Sequence, residues 1–103
     1  MSPRVRGYAS AKGAVEVMTR YLAQELGPRG IAANVIATGA IETDFGGGMV
    51  RDNPEMNEAI ASHTALGRTG LPEDLGGVVA SLLLPEMGWV NAQRIEVSGG
   101  QSL

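Results

Sequence analysis

The chain of 103 residues contains no cysteine and a single histidine, His63. The first absence excludes a disulfide framework, thiol catalysis and thiolate metal sites, and one imidazole leaves too few nitrogen ligands for a zinc centre. Aromatic residues are nearly as scarce. One Trp, one Phe and two Tyr leave the packing to Ala, Val, Leu, Ile and Met, since the side chains that bury most area are almost missing. Positive charge is short as well: eight Lys and Arg against eleven Asp and Glu give a net charge of −3. The basic residues are scattered, which argues against a nucleic-acid partner held by clustered cations and counterion release. No apolar run approaches the ~20 residues of a bilayer span, and residues 1–6 lack the apolar stretch of a signal peptide. A cytoplasmic chain without membrane or nucleic-acid partners is expected. What is present is 44% hydrophobic and 18% charged residues, the balance of a folded chain, at a length suited to one small domain with a modest core.

From Tyr8 to Leu26, helix-forming residues dominate and proline is absent, which predicts a helix. At about 100° per residue, Ala11, Val15, Met18, Leu22 and Leu26 make one apolar stripe. Ala14, Val17 and Tyr21 make a second, about a third of a turn away, so two packing partners are expected. Gly27-Pro28 supplies a stop, with Gly27 available for the left-handed position beyond the helix. Ile31 to Ala37 is a compact apolar run with β-branched residues, which predicts a strand buried on both faces and hence a parallel sheet. Thr38 to Asp44 reads as a loop and Phe45-Gly46-Gly47-Gly48 as a permissive hinge. Asn53-Pro54-Glu55 opens a short helix to about Ser62, with Asn53 as N-cap and Pro54 in the first helical position. Leu71-Pro72-Glu73-Asp74 opens another, apolar at Leu75, Val78, Val79, Leu82 and Leu83 and stopped by Pro85. Gly76 and Gly77 inside it cost about 1 kcal/mol each against Ala, which points to a close backbone approach. Gln93 to Ser98 alternates polar and apolar as a half-covered strand does. Two strands joined by a helical crossover make a right-handed parallel unit.

The chemistry centres on Tyr8 and Lys12, whose i, i+4 spacing puts phenol and ammonium on one helix face. A tyrosine with reference pKa ~10 is a poor proton-transfer group at neutral pH. A fixed cation about 4 Å away contributes at most ~4 kcal/mol at an effective dielectric of ~20, or about three pKa units, enough to create a working general acid or base. Solvent would screen most of that, and taken alone this spacing usually marks a solvated helix face. His63 reads as a cap of the short helix and Glu73-Asp74 as a helix-dipole pair. Gly46-Gly47-Gly48 lacks the preceding strand and following helix of a dinucleotide fingerprint.

The order of segments adds to this. Tyr8-Ala-Ser-Ala-Lys12 is followed by Glu25-Leu-Gly-Pro-Arg-Gly-Ile31, then by Asn34-Val-Ile-Ala-Thr-Gly-Ala-Ile-Glu-Thr43. Leu66-Gly-Arg-Thr-Gly-Leu-Pro-Glu-Asp74 and Gln93-Arg-Ile-Glu-Val-Ser-Gly-Gly100 complete the series. From Tyr8 to Gly100 the chain resembles the C-terminal part of a short-chain dehydrogenase/reductase. The resemblance implies an α/β fold, the C-terminal part of a Rossmann-type doubly wound parallel sheet. Residues 1–103 would form a single partial domain of two parallel strands and about three helices, with the N-terminal half of the family fold missing from it. It also implies NAD or NADP as cofactor, exchanging hydride with a small carbonyl or alcohol substrate. By position, Tyr8 would be the proton donor or acceptor, and Lys12 would lower its pKa and hold the nicotinamide ribose. Gly39, Ile41 and Thr43 would touch the nicotinamide end and phosphates, and residues 45–67 would form a mobile lid over the substrate.

Thr38 stands where the family usually has proline, Asn91-Ala92 where it often has Thr-Gly, and Ser98 where it often has aspartate. The family's glycine-rich phosphate loop, Asn-Ala-Gly motif and catalytic serine lie upstream of the tyrosine, and Ser2 is too near Tyr8 to replace that serine. Two expectations result. One is an oxidoreductase encoded by a longer reading frame or completed by a separate N-terminal polypeptide. The other is a catalytically inert module that self-associates, a homo-oligomer through the helix from Tyr8 to Leu26, which in the family packs against its copy in a neighbouring subunit.

Overall fold

A computed structural model describes the backbone of residues 3–103 and the side chains from Val5 onward; Ser2 lies outside the described residues. The first helix, α1, spans Pro3–Leu26. It ends at Leu26, as the sequence predicts, but Gly27 is not the left-handed residue. A 3-10 turn covers Gly27–Arg29, and the left-handed residue is Gly30, at φ 73°, its N–H donating to the Gly27 carbonyl at 2.8 Å. Pro28, with φ held near about −65°, carries the helical backbone one tighter turn further.

The chain divides into two compact units. The first holds the residues up to Val35 together with Pro85–Ile95. Within it, Thr19 and Ala23 are the buried residues of α1, at 7% and 3% exposure, and Ala23 is the buried apolar residue among those described. Val15, Val17, Met18 and Tyr21 are exposed, so neither expected apolar stripe is covered among the described residues. The covered line is made instead of small side chains one turn apart, with the Thr19 hydroxyl satisfied by the Val15 carbonyl at 2.7 Å. Glu16, on the same side, accepts from Arg94 Nε at 2.7 Å.

The expected strand from Ile31 to Ala37 is shorter and later: β1 spans Val35–Thr38 and is half-buried rather than enclosed on both faces. Two asparagines bond the stretch before it, one within that stretch and one from far along the chain. Asn91 Oδ1 accepts from the Ala33 N–H at 2.9 Å, while Asn34 donates to the Val90 carbonyl at 3.1 Å and accepts from the Gln93 N–H at 3.0 Å. Side-chain amides thus take the bonds a strand ladder would have used. β2 spans Arg94–Val97, alternating exposed and half-buried as the sequence pattern requires, and pairs with β1. Val35 N–H to Gln93 C=O at 2.9 Å and Gly39 N–H to Val97 C=O at 3.2 Å set a parallel register.

The second unit comprises Ile36–Leu84 and Glu96–Leu103. After β1 and its loop, a 3-10 turn at Phe45–Gly48 places Gly46, Gly47 and Gly48 at φ 62°, 76° and 75°, conformations that favour glycine. Helix α2 spans Met49–Asp52, α3 Pro54–Ser62 and α4 Pro72–Leu82. Asn53 caps α3 as expected, its side chain accepting from the Met56 N–H at 3.1 Å. A Cβ built on Gly76 or Gly77 meets nothing within 4 Å, so the close approach expected at these glycines is not found among the described residues. Residues 63–66 pair with 99–102 through Ala65 N–H to Gly100 C=O and Leu66 N–H to Gly99 C=O, both 3.0 Å. Among the described residues, no helix is long and apolar enough to cross a membrane.

Candidate functional site

The residues singled out from the sequence fall in both units. Tyr8 and Lys12 lie on α1 in the first. Lys12 Nζ stands 5.3 Å from the Tyr8 ring centroid, so the one-turn spacing brings the ammonium onto the aromatic face, a contact worth about 0.5–1 kcal/mol at an exposed site. Both side chains are exposed, Tyr8 by 55%.

Gly39, Ile41 and Thr43 lie in the second unit, on the loop that leaves β1. Gly39 is required by crowding: an added Cβ would come 2.9 Å from Ser98 Cβ and 3.0 Å from Ser98 Cα. The loop is then bonded from two sides. Ala40 donates to Gln101 Oε1 at 2.8 Å. The Ala40 carbonyl and Glu42 N–H engage the backbone of Gly70, each at 2.9 Å, and the Ile41 side chain lies where a Gly70 side chain would be. This bonding engages the Gly39, Ala40 and Glu42 N–H groups and the Ala40 carbonyl. Among the described residues, the N–H groups of Ile41 and Thr43 take no protein partner. Thr43 Oγ1 accepts from the Phe45 N–H at 3.2 Å. Beside the loop a cavity of about 160 Å³ is lined by Ala40, Ile41, Leu66, Arg68, Gly70 and Ser98 among others.

Three anchors in and around this loop were not visible as such in the sequence. Gln101 is one. Arg68 is another, gripping Asp74 with Nη1 to Oδ2 at 2.7 Å and Nη2 to Oδ1 at 3.0 Å. Asp74 also accepts from the Leu71 N–H at 2.7 Å, so the carboxylate read as a helix-dipole partner is a fork-and-cap anchor. The Arg68 hydrogen bonds, then the Leu71 N–H, lower its pKa to about 2. The signal for this pair was their presence six residues apart around Leu71-Pro72. Asn57 is the third, with its amide between Glu42 and Thr69; no pattern in the sequence marks it. On α2, Arg51 joins Asp44 at 2.5 Å and Asp52 at 2.7 Å, and its hydrogen bonds hold Asp52 below the usual carboxylate range. His63 closes α3, its Nδ1 2.9 Å from the Ala59 carbonyl.

A family model described as enoyl-(acyl carrier protein) reductase matches residues 1–102. A short-chain type dehydrogenase/reductase of Picea abies is 43% identical over 101 residues, which cover 96% of this chain and 36% of that protein. The chain belongs to the short-chain dehydrogenase/reductase family. Two solved structures carry the same likeness into the fold. One is a 3-oxoacyl-[acyl-carrier protein] reductase with bound NAD from Brucella melitensis, with TM-score 0.78 and 33% identity, covering 93% of this chain and 33% of that one. The other is a blue fluorescent protein from a metagenomic library in complex with NADPH, with TM-score 0.78 and 38% identity, covering 90% of this chain and 36% of that one. The chain spans between 36% and 41% of the length of the curated short-chain dehydrogenase/reductase relatives it matches. Its strands and helices correspond to the C-terminal part of the family's Rossmann-type α/β fold.

Proposed function

We propose that this chain carries the proton-transfer and nicotinamide-facing part of an NAD(P)-dependent oxidoreductase acting on a small carbonyl or alcohol substrate. The observation that carries the reading is the Tyr8–Lys12 pair, ammonium on ring face at 5.3 Å, in a chain of this family. Tyr8 is the general acid or base at the substrate oxygen: its O–H donates as a carbonyl is reduced, and its oxygen accepts when an alcohol is oxidised. Lys12 sets a positive charge beside the phenol and holds ribose hydroxyls through its three N–H donors.

The Gly39, Ile41 and Thr43 loop fits a nicotinamide end, because the unpartnered N–H groups of Ile41 and Thr43 are donors of the kind a carboxamide oxygen or a phosphate accepts. The bound cofactor supplies or accepts the hydride. Tyr8 and Lys12 are exposed in this chain, so their electrostatic coupling reaches full strength only when substrate and further protein exclude water. That protein would bring the phosphate loop and serine, from a longer reading frame or a separate polypeptide. Fusing such a family segment ahead of the chain tests the reading. In the active fusion, Tyr8→Phe is expected to lower turnover ~10²–10⁴-fold while cofactor binding persists; near-normal turnover would refute the assignment.

A second reading is a catalytically inert, self-associating module. It is favoured by the exposed Val15, Val17, Met18 and Tyr21 on α1 and by a two-stranded sheet whose β1 has no second neighbour among the described residues. Sedimentation of a monodisperse monomer at tens of micromolar would rule it out.

A further inference from the structure

The loop bearing Ile41 and Thr43 and the helices that follow the three left-handed glycines converge on Asn57. From the first turn of α3, where its N–H donates to the Asn53 carbonyl at 2.9 Å, Asn57 sends Nδ2 to three oxygens. These are Glu42 Oε1 at 2.8 Å, the Val50 carbonyl at 2.9 Å and Thr69 Oγ1 at 3.0 Å. A carboxylate and a carbonyl only accept, which fixes the nitrogen end of the amide toward them. Two hydrogens serve three acceptors, so no donor is spare. Thr69 is buried at 6% exposure, while Asn57 and Glu42 are half-buried, where an acceptor stripped of its donor is costly. Glu42 and Thr69 flank the two segments already joined by the Glu42 N–H to Gly70 C=O bond. Val50 belongs to α2.

We infer that Asn57 is a positioning residue that locks α2 and α3, the helices of the expected lid, to the loop holding Ile41 and Thr43, so that lid and loop move as one body. This rests on the reading of that loop as nicotinamide-facing. A displacement of α2 or α3 carries the Glu42 carboxylate with it, and Ile41 and Thr43 are its chain neighbours. Closure over a substrate is thereby transmitted to the cofactor side without any residue touching both.

Hydrogen exchange on the full chain tests this. Asn57→Ala should speed exchange of the Glu42 and Gly70 amides about tenfold or more, leaving those of Ala65 and Leu66 within about twofold. Asn57→Asp, nearly isosteric, should be worse than Asn57→Ala, because it sets a second carboxylate against Glu42. The double variant Glu42→Gln/Asn57→Asp reverses donor and acceptor between these two side chains and should recover part of the protection at Gly70, the Val50 carbonyl staying without its donor. A residue that merely fills space gives the opposite order. An Asn57→Asp chain as protected as wild type, equal acceleration at Ala65 and Leu66, or no recovery in the double variant would overturn the inference. The measurement uses no cofactor and no turnover, so its failure leaves the Tyr8–Lys12 chemistry standing, and failure of that chemistry leaves the coupling standing.

Discussion

In the unit built on α1, Ala23 is the buried apolar residue and Val15, Met18 and Tyr21 face solvent. In the unit of Ile36–Leu84 and Glu96–Leu103, loops are fastened by Asn57, Gln101, Asp74 and the backbone of Gly70. The first unit carries long apolar stripes with little to cover them, and the second holds its geometry by directional polar bonds among side chains of modest size. An amphipathic helix needs a matching surface before its hydrophobic residues contribute. A hydrogen-bonded loop needs only its partners close by, and here those partners are within the unit. The proposed proton-transfer pair sits on the helix whose stripes are uncovered, and the proposed cofactor loop is bonded within its own unit, although Phe45, Leu66, Leu83 and Leu84 of that unit are exposed too.

Substitutions can break or sharpen that contrast. The largest effect is expected at Lys12: in a fusion completed by a family N-terminal segment, Lys12→Ala should lower turnover ~10²–10⁴-fold and also weaken the cofactor, unlike Tyr8→Phe. Steady-state kinetics beside a calorimetric titration would separate the two, and unchanged cofactor affinity would deny Lys12 its binding role. Next comes Gly39→Ala, which drives a methyl group to 2.9 Å from Ser98 Cβ and should cost about 1–3 kcal/mol in the second unit. Urea unfolding followed at amides of that unit measures it, and α1 amides should not respond.

The Arg68–Asp74 pair gives a pH signature. Asp74 titrates at about 2 against ~3.9 when unfolded. A depressed carboxylate contributes stability that is full above ~3.9 and is lost as pH falls through about 2. Arg68→Met removes the principal cause and leaves the Leu71 N–H, so the dependence of the urea midpoint on pH across that window should flatten. An unchanged slope would mean that the ion pair does not persist in solution. The smallest effect has the opposite sign. Gly76→Ala, with open space around its Cβ, should stabilise α4 by about 0.5–1 kcal/mol. If thermal unfolding shows destabilisation instead, a neighbouring surface covers α4, and the second unit also depends on outside protein.

Local chemistry was legible wherever it acts over a few residues. Asn53-Pro54 marked the start of α3 and Pro72 that of α4, and the alternation of β2 was visible because cap, proline and pleat all act at short range. Tyr8 and Lys12 were placed together by helical spacing alone. The readings that failed are those needing knowledge of what lies opposite. Gly27 was expected to end α1 in a left-handed turn that Gly30 provides, since Pro28 sustains the helical backbone. The strand expected from Ile31 begins at Val35, because Asn91, far along the chain, takes the Ala33 N–H.

By itself, the sequence determined the helical turn that joins Tyr8 to Lys12, the glycine-rich turn before α2 and the family to which the chain belongs. These depend on backbone preference and on spacing along the chain. Only the tertiary structure decided that Thr19 and Ala23, rather than the apolar stripes, form the covered line of α1, and that Ser98 leaves no room for a side chain at Gly39. It also decided that Asn57 meets Glu42 and Thr69. Each of these is a contact between residues brought together by the path of the backbone, and no periodicity records which distant side chain will stand at hydrogen-bond distance.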